Sequence, residues 1–385
     1  MEQVKLKYLC SSYSTPITQD QIQEAGNYKV YGASGQVGFL AEPGCKSDYL
    51  GIIKDGAGVG RISTYEASSY LLGTMAYIVP NLDVDINWLK YAVMSLNLSE
   101  SISKTTIPHI YFSEYGNRKV SWCTIEEQRS IAVFLDCKCA EIDSVIAATQ
   151  RTIEEYKKLK QSIITEAVTK GVRGKRTMKD SGSVWFGEIP AEWRMVRLKY
   201  MFHIKKDIAG KEGYTVLSIT QRGITPKNIE SNEGQLAADY SKYQLVEPGD
   251  FAMNHMDLLT GWVDISKYDG VTSPDYRVFV LDDDASNKEY YLYMMQMCYL
   301  NRIFYGLGQG VSGMGRWRLQ ADKFLNFYIA VPPAEEQDEI VEALKRQLSE
   351  MDALIAAKEQ LLTEMESYKK SVIYEYVTGK KEVIQ

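Results

Sequence analysis

The chain has 385 residues, 45% hydrophobic and 24% charged, which is enough for two or three domains with cores of their own. Its formal net charge of -6 argues against a simple, self-sufficient nucleic-acid binder. No apolar run approaches the roughly 18 residues of a bilayer span, and MEQVKLKYLC carries no signal-peptide core, so a soluble cytoplasmic protein is expected.

The first predicted domain covers residues 1–123. Strand-like runs appear at Tyr49 to Ile53 and Met75 to Val79. Turn signals are dense, notably Gly32-Ala33-Ser34-Gly35 and Asp55-Gly56-Ala57-Gly58-Val59-Gly60-Arg61. Residues 124–171 then read as one long helix. Thr124 and Glu127 have capping-box spacing, Glu126-Glu127 suit the positive end of the helix dipole, and Gly171 suits a left-handed cap.

A basic linker and second domain occupy 172–331. From Lys170 to Lys211 there are 11 Lys/Arg against 4 Asp/Glu, which reads as phosphate contact or as solvated charge. Tyr214 to Ile219 and Val278 to Leu281 read as strands, Glu247-Pro248-Gly249-Asp250 as a turn, and YLYMMQMCYLNRIFYG as helical. A second long helix with its tail fills 332–385. Pro332-Pro333 suit its first turn, and Gly379 suits its end.

The two helices are copies of each other. Set Glu126 against Glu335 and 17 of 44 positions are identical, through to Val168-Thr169 and Val377-Thr378. The apolar spacing alternates three and four: Ile142, Val145, Thr149, Thr152/Ile153, Tyr156, Leu159, Ile163 in one copy, and Leu348, Met351, Leu354/Ile355, Lys358, Leu361/Leu362, Met365, Tyr368, Val372 in the other. Such a rod, about 65 Å at 1.5 Å per residue, is too long for one small domain to cover. Its natural partner is the other copy. The repeat also includes Val4-Lys5-Leu6-Lys7-Tyr8 and Val196-Arg197-Leu198-Lys199-Tyr200, an offset of 192 against 209 for the helices. The predicted fold class is therefore α+β: two similar domains with divergent interiors, joined by two long helices in an antiparallel coiled coil with pseudo-twofold symmetry.

No catalytic set is complete. Gly308-Gln309-Gly310-Val311-Ser312-Gly313 matches GxGxxG but follows a helical run rather than a strand. Pro274-Asp275 lacks the acid-any-Lys of a nuclease, and Val331-Pro332-Pro333-Ala334 lacks the residues of an amino-methyltransferase motif. Three histidines and no CxxC pair argue against zinc, and six scattered cysteines read as reduced thiols. The glycine loops instead suit close approach to nucleic acid. Candidate readers are Gln36, Lys54 and Arg61 in the first domain and Asn254, Gln309, Arg316 and Arg318 in the second, since Arg forks onto guanine and Asn/Gln match adenine.

Tyr28-Lys29-Val30-Tyr31-Gly32 with Gly35 and Gly38-Phe39, Leu50-Gly51-Ile52-Ile53-Lys54-Asp55-Gly56, Gly249-Asp250-Phe251-Ala252-Met253-Asn254, Lys179-Asp180-Ser181-Gly182 with Trp185 and Gly187-Glu188-Ile189-Pro190, and the paired Glu-Glu-Gln helix starts resemble the specificity (S) subunit of type I restriction-modification enzymes. The resemblance runs along nearly the whole chain. The first half has no equivalent of the Lys179 to Trp193 lead-in. The resemblance implies a non-catalytic subunit with two target-recognition domains, each reading one half of a bipartite site on double-stranded DNA, while the helices set the spacer. It implies two modification (methyltransferase) subunits using S-adenosylmethionine, and restriction (translocase-nuclease) subunits using ATP and Mg. The competing readings are a coiled-coil interaction scaffold without DNA specificity, and a degenerate nuclease or methyltransferase.

Overall fold

The computed structural model describes residues 2–56, 58–103, 107–228, 239–310 and 317–383. The chain divides into two compact units, Met1–Thr152 with Lys358–Gln385, and Ile153–Ala357. The division falls inside both long helices rather than at their ends, so each unit contains half of each helix.

In chain order the first unit has β1 (Glu2–Lys5), β2 (Cys10–Ser14), β3 (Tyr28–Gly32), β4 (Gly35–Leu40), β5 (Tyr49–Ile53), β6 (Ile62–Tyr65), β7 (Tyr70–Leu71), β8 (Met75–Pro80), α1 (Ile86–Met94), α2 (Phe112–Tyr115), β9 (Lys119–Trp122) and the start of α3 (Ile125–Lys170). A four-stranded sheet runs β2-β8-β5-β6, a three-stranded sheet runs β4-β3-β7, and β1 pairs with β9. The core lies between the four-stranded sheet, α1 and the long helices, around Leu50, Ile52, Ile78, Trp88, Leu89, Leu135 and Ile373. Apolar residues collect there because the alternate face of each strand must leave water.

The second unit repeats this plan. It has β10 (Met178–Asp180), β11 (Glu188–Pro190), β12 (Arg194–Arg197), β13 (Phe202–Lys205), β14 (Leu217–Thr220), β15 (Gly223–Pro226), β16 (Gln244–Val246), β17 (Phe251–Met253), β18 (Val263–Ile265), β19 (Gly270–Thr272), β20 (Arg277–Leu281), α4 (Lys288–Leu300), α5 (Ile303–Leu307), β21 (Gln309–Gly310), β22 (Trp317–Arg318), α6 (Ala321–Leu325), β23 (Tyr328–Val331) and α7 (Ala334–Val377). Its four-stranded sheet runs β13-β20-β17-β18, the order of the first unit. The register is also the same. Leu50 faces Ile78 and Thr64, and Phe251 faces Phe279 and Ile265, an offset of 201 throughout. The run predicted as a strand from Tyr214 begins only at Leu217.

Both long helices have the expected ends. Thr124 N donates to Glu127 Oε2 at 2.9 Å and Glu127 N donates to Thr124 Oγ1 at 3.3 Å, a complete capping box. At the second helix the prolines precede the first turn rather than occupy it, and Pro333 O accepts from Glu336 N and Gln337 N. Gly171 and Gly379 close the helices at φ 75° and 70°.

Within each unit the two helical segments run antiparallel. In the first, Phe134 meets Tyr376 (ring centroids 4.3 Å apart) and Asp143 accepts from Lys369 at 2.6 Å. In the second, Lys160 donates to Asp352 at 2.7 Å and Arg173 forks onto Glu339, two bonds of 2.7 Å. Buried and half-buried positions include Ile142, Ile146, Thr149, Ile153, Tyr156, Lys160 and Ile164, matched by Met351, Ile355, Lys358, Leu362, Met365, Lys369 and Ile373, and the expected Ile163, Leu361 and Val372 are also covered. Val145, Leu159, Leu354 and Tyr368, expected in the seam, are instead 45–49% exposed. Lysine stems take the places the apolar pattern left to Leu159 and Tyr368, with the ammonium reaching an aspartate at the rim.

A buried glutamine ties each long helix to its domain. Gln128 Oε1 accepts from Asp85 N at 2.9 Å and its Nε2 donates to Cys123 O at 2.9 Å. Gln337 does the same to Asn287 N and Pro332 O, at 2.9 and 3.1 Å. Asp85 and Asn287 are themselves the N-caps of α1 and α4. This contact fixes the start of each long helix against the helix that backs the sheet.

Candidate nucleic-acid interface

Each unit presents the loop that joins the second and third strands, in chain order, of its four-stranded sheet. In the first unit this is Ile53 to Arg61 and in the second Asn254 to Trp262, closed alike: Ile53 N donates to Arg61 O and Asn254 N to Trp262 O, both 2.9 Å. Equal length and identical closure give two loops of one design with unrelated sequences. The first is shaped by glycine. Gly58 has φ 85°, a left-handed conformation costly to any other residue. The second is shaped by side chains instead. Asn254 Oδ1 accepts from Met256 N and Asp257 N, and Asp257 Oδ1 from Leu259 N and Thr260 N.

A hairpin leans on each loop. Arg61 Nη2 donates to Ala33 O at 2.9 Å, in the turn between β3 and β4. Gln36 stands exposed on the same hairpin, opposite Tyr31. The structure thus brings Gln36 and Arg61 to one edge of the first unit. Lys54 sits one residue into the loop but is half-buried, paired with Asp55 at 2.7 Å. In the second unit Gln221, between β14 and β15, donates to Thr260 O at 3.3 Å, and Asp264 accepts from Ile224 N. No glycine motif pointed to Gln221.

The second unit adds the β21–β22 ribbon, where Gln309 pairs with Arg318 and both are exposed. Arg316, also a candidate, lies outside the described residues. Trp317 lies on Gly308, where a Cβ would come within 2.5 Å of the indole, and its Nε1 donates to Tyr305 O at 2.6 Å. The first glycine of the GxGxxG match therefore follows α5 and seats an indole. Beneath the ribbon is an open cleft of about 630 Å³, whose walls include Lys227, Tyr243, Asn254, Asp257, Tyr276 and Trp317. The Asn254 amide oxygen is committed to the turn.

A buried arginine and a half-buried histidine support the ribbon. Arg277 is 5% exposed, donates to Leu319 O at 2.8 Å and stacks on Phe324 at 4.9 Å. Burial lowers its pKa to about 10. His255 is pushed down to about 4, first by burial and then by the charges of Arg277 and Arg318, so its ring is neutral at pH 7. Its Nδ1 is buried without a partner among the described residues. Arg277 reads in the sequence as one strand residue among others.

Four of the eleven cations between Lys170 and Lys211 are held by hydrogen bonds within the unit. Arg173 is spent on Glu339, Arg176 on Glu336 and Glu192, and Lys179 on Ala191 O. Further along, Lys205 is spent on Glu247 and Asp250. Among the described residues no Cys/His/Asp/Glu group could hold a metal, and no helix is long and apolar enough to cross a membrane.

The fold and these paired edges define a duplicated recognition protein. Residues 190–364 match the family described as type I restriction modification DNA specificity domain. The chain is 28% identical over 310 residues to the type I restriction enzyme MjaVIII specificity subunit of Methanocaldococcus jannaschii, covering 75% of this chain and 69% of that one. It is 24% identical over 311 residues to the putative type I restriction enzyme MjaX specificity subunit of the same organism, covering 76% and 64%. A solved chain from a study of complex assembly and conformational transition of the type I R-M system shares the fold, with TM-score 0.68, 14% identity, and coverage of 99% of this chain and 98% of that one. The chain is thus similar, over about three quarters of its length, to specificity subunits of type I restriction enzymes.

Proposed function

We propose that each unit reads one half of a bipartite target on double-stranded DNA, and that α3 and α7 set the unread spacer and offer the docking surface for two modification subunits. The observation that carries this is the duplicated loop: one length and one closing bond, with residues that differ at eight of nine positions. A scaffold kept for interaction alone gives no reason to repeat a frame and vary only its exposed edge. S-adenosylmethionine, ATP and Mg belong on the partners, which would methylate adenine and cleave DNA. Alone, this acidic chain binds DNA weakly; with a modification subunit it binds tightly and in a salt-sensitive way.

The test is methylation by the assembled complex across a library of randomised bipartite sites. Arg61→Ala should relax one half-site and Arg318→Ala the other, each by about 1–3 kcal/mol at one position. If either change disturbs both half-sites equally, the two-reader assignment is wrong.

A further inference from the structure

The repeat locates a reader that the glycine signals did not mark. In the second unit Leu319 N donates to His255 O at 3.0 Å, and in the first Ile110 N donates to Lys54 O at 3.0 Å. Lys54 and His255 are the second residues of the two equivalent loops, by the same offset of 201 that relates the sheets. The residue before each donor is therefore also equivalent. In the second unit it is Arg318, and in the first it is His109.

Nothing in the sequence Ile107-Pro108-His109-Ile110 resembles Arg316-Trp317-Arg318-Leu319. The backbone nonetheless repeats the arrangement and fastens it further. Gly56 N donates to Pro108 O at 2.9 Å, Ser103 N donates to His109 O at 2.9 Å, and Asp55 bridges His109 in antiparallel fashion. The imidazole is held at one nitrogen only. Its Nδ1 lies 2.9 Å from Ser103 Oγ and 3.2 Å from Ile107 O. Its ring meets Tyr111 nearly edge-on, with centroids 4.9 Å apart. Nε2 has no partner among the described residues. Beside it, Ile107 and Tyr111 are 63% and 55% exposed, so the segment faces solvent next to the loop that carries Arg61.

We propose that His109 reads a base edge in the half-site of the first unit, as the counterpart of Arg318 in the second. The inference rests on the two-reader assignment above. An imidazole fixed at Nδ1 offers one hydrogen bond at Nε2, where Arg offers a two-pronged fork. When Nδ1–H donates to Ile107 O, Nε2 accepts from an exocyclic amino group of adenine or cytosine. When the Ser103 hydroxyl donates to Nδ1, Nε2–H donates to a purine N7 or a carbonyl oxygen. Ser103 thus selects which base the ring prefers, and Tyr111 holds the ring at its angle.

The experiment uses the full chain assembled with its modification subunits on the same randomised library. His109→Ala is expected to lower preference roughly tenfold at one position of one half-site, within the range of a lost base contact. That half-site is the one altered by Arg61→Ala, and the half-site altered by Arg318→Ala is untouched. Ser103→Ala changes the preferred base at the position that His109→Ala relaxes. If His109→Ala does not fold, His109→Gln is read in its place under the same criterion. Unchanged base preference in the His109 variant, while Arg61→Ala still alters its half-site, overturns the role of His109 and leaves the two-reader assignment standing. Equal disturbance of both half-sites by the His109 variant overturns both.

Discussion

Arg176 should be among the most costly single side chains to remove from the second unit. Its Nη2 donates to Glu336 at 2.5 Å and to Lys170 O at 2.9 Å, and the guanidinium lies 5.4 Å from the Trp193 ring. Glu336 has no exposed surface, and its only other described donor is Trp193 Nε1 at 3.0 Å. Arg176→Ala therefore strands a buried carboxylate on one indole N–H, which costs about 3–5 kcal/mol. Arg176→Met with Glu336→Gln removes the charge and keeps an acceptor for Trp193, so more than half of the loss should return. Asp352→Asn breaks a pair whose carboxylate side is 59% exposed and should cost less than about 1 kcal/mol. Equilibrium urea unfolding followed by tryptophan fluorescence reads all three, because Trp193 is fully buried. The reasoning fails if Arg176→Ala costs no more than Asp352→Asn, or if the double variant is no more stable than the single one.

Two further effects should be visible in the same preparations. Gln128→Leu and Gln337→Leu each leave a buried backbone N–H and a buried carbonyl unpaired, at about 2 kcal/mol; hydrogen exchange should speed up over α1 in the first variant and over α4 in the second, and equal change in both helices would contradict the local role. His255 has its pKa lowered to about 4 on folding, so the unfolded chain binds more protons between about pH 6.5 and 4, and stability falls as pH falls through that window. Partial exposure trims the effect to about 2 kcal/mol. His255→Leu should lose that share of the acid sensitivity, seen as a smaller shift in urea midpoint from pH 7 to pH 4.5, and an unaltered shift would count against it.

The long helices were legible because their signals are local. A capping box, a closing glycine and a 3.5-residue rhythm depend on neighbours a few positions away, and all three hold at α3. The seam was placed one position off at Val145 and Leu159, because an apolar count does not credit a lysine stem with packing. The recognition edges were legible only where the turn needed glycine. Arg61 was found through the glycines of its loop. Gln221 was not, because a hydrogen bond to Thr260, 39 residues further on, positions it. The basic linker misled in the other direction. Its arginines look unclaimed until α7 brings Glu336 and Glu339 beside them, some 160 residues later in the chain.

The repeat held more information than its identities alone. If two copies related by an offset of 209 pair antiparallel, then a contact between x and y requires a second between y minus 209 and x plus 209. Asp143 with Lys369 generates Lys160 with Asp352, and both ion pairs are present, at 2.6 and 2.7 Å. The same rule carries Gln128 onto Gln337 and their capped partners Asp85 onto Asn287, with only the offset of the inner elements changed. What the rule cannot carry is the identity of a side chain at the exposed edge, and there the copies part. His109 stands where Arg318 stands, and Lys54 stands where His255 stands. A frame that repeats its sheet register and its glutamine ties, and differs at its exposed loops, is what two readers of different half-sites need. The frame keeps each loop in place, and the loop alone decides which bases it meets.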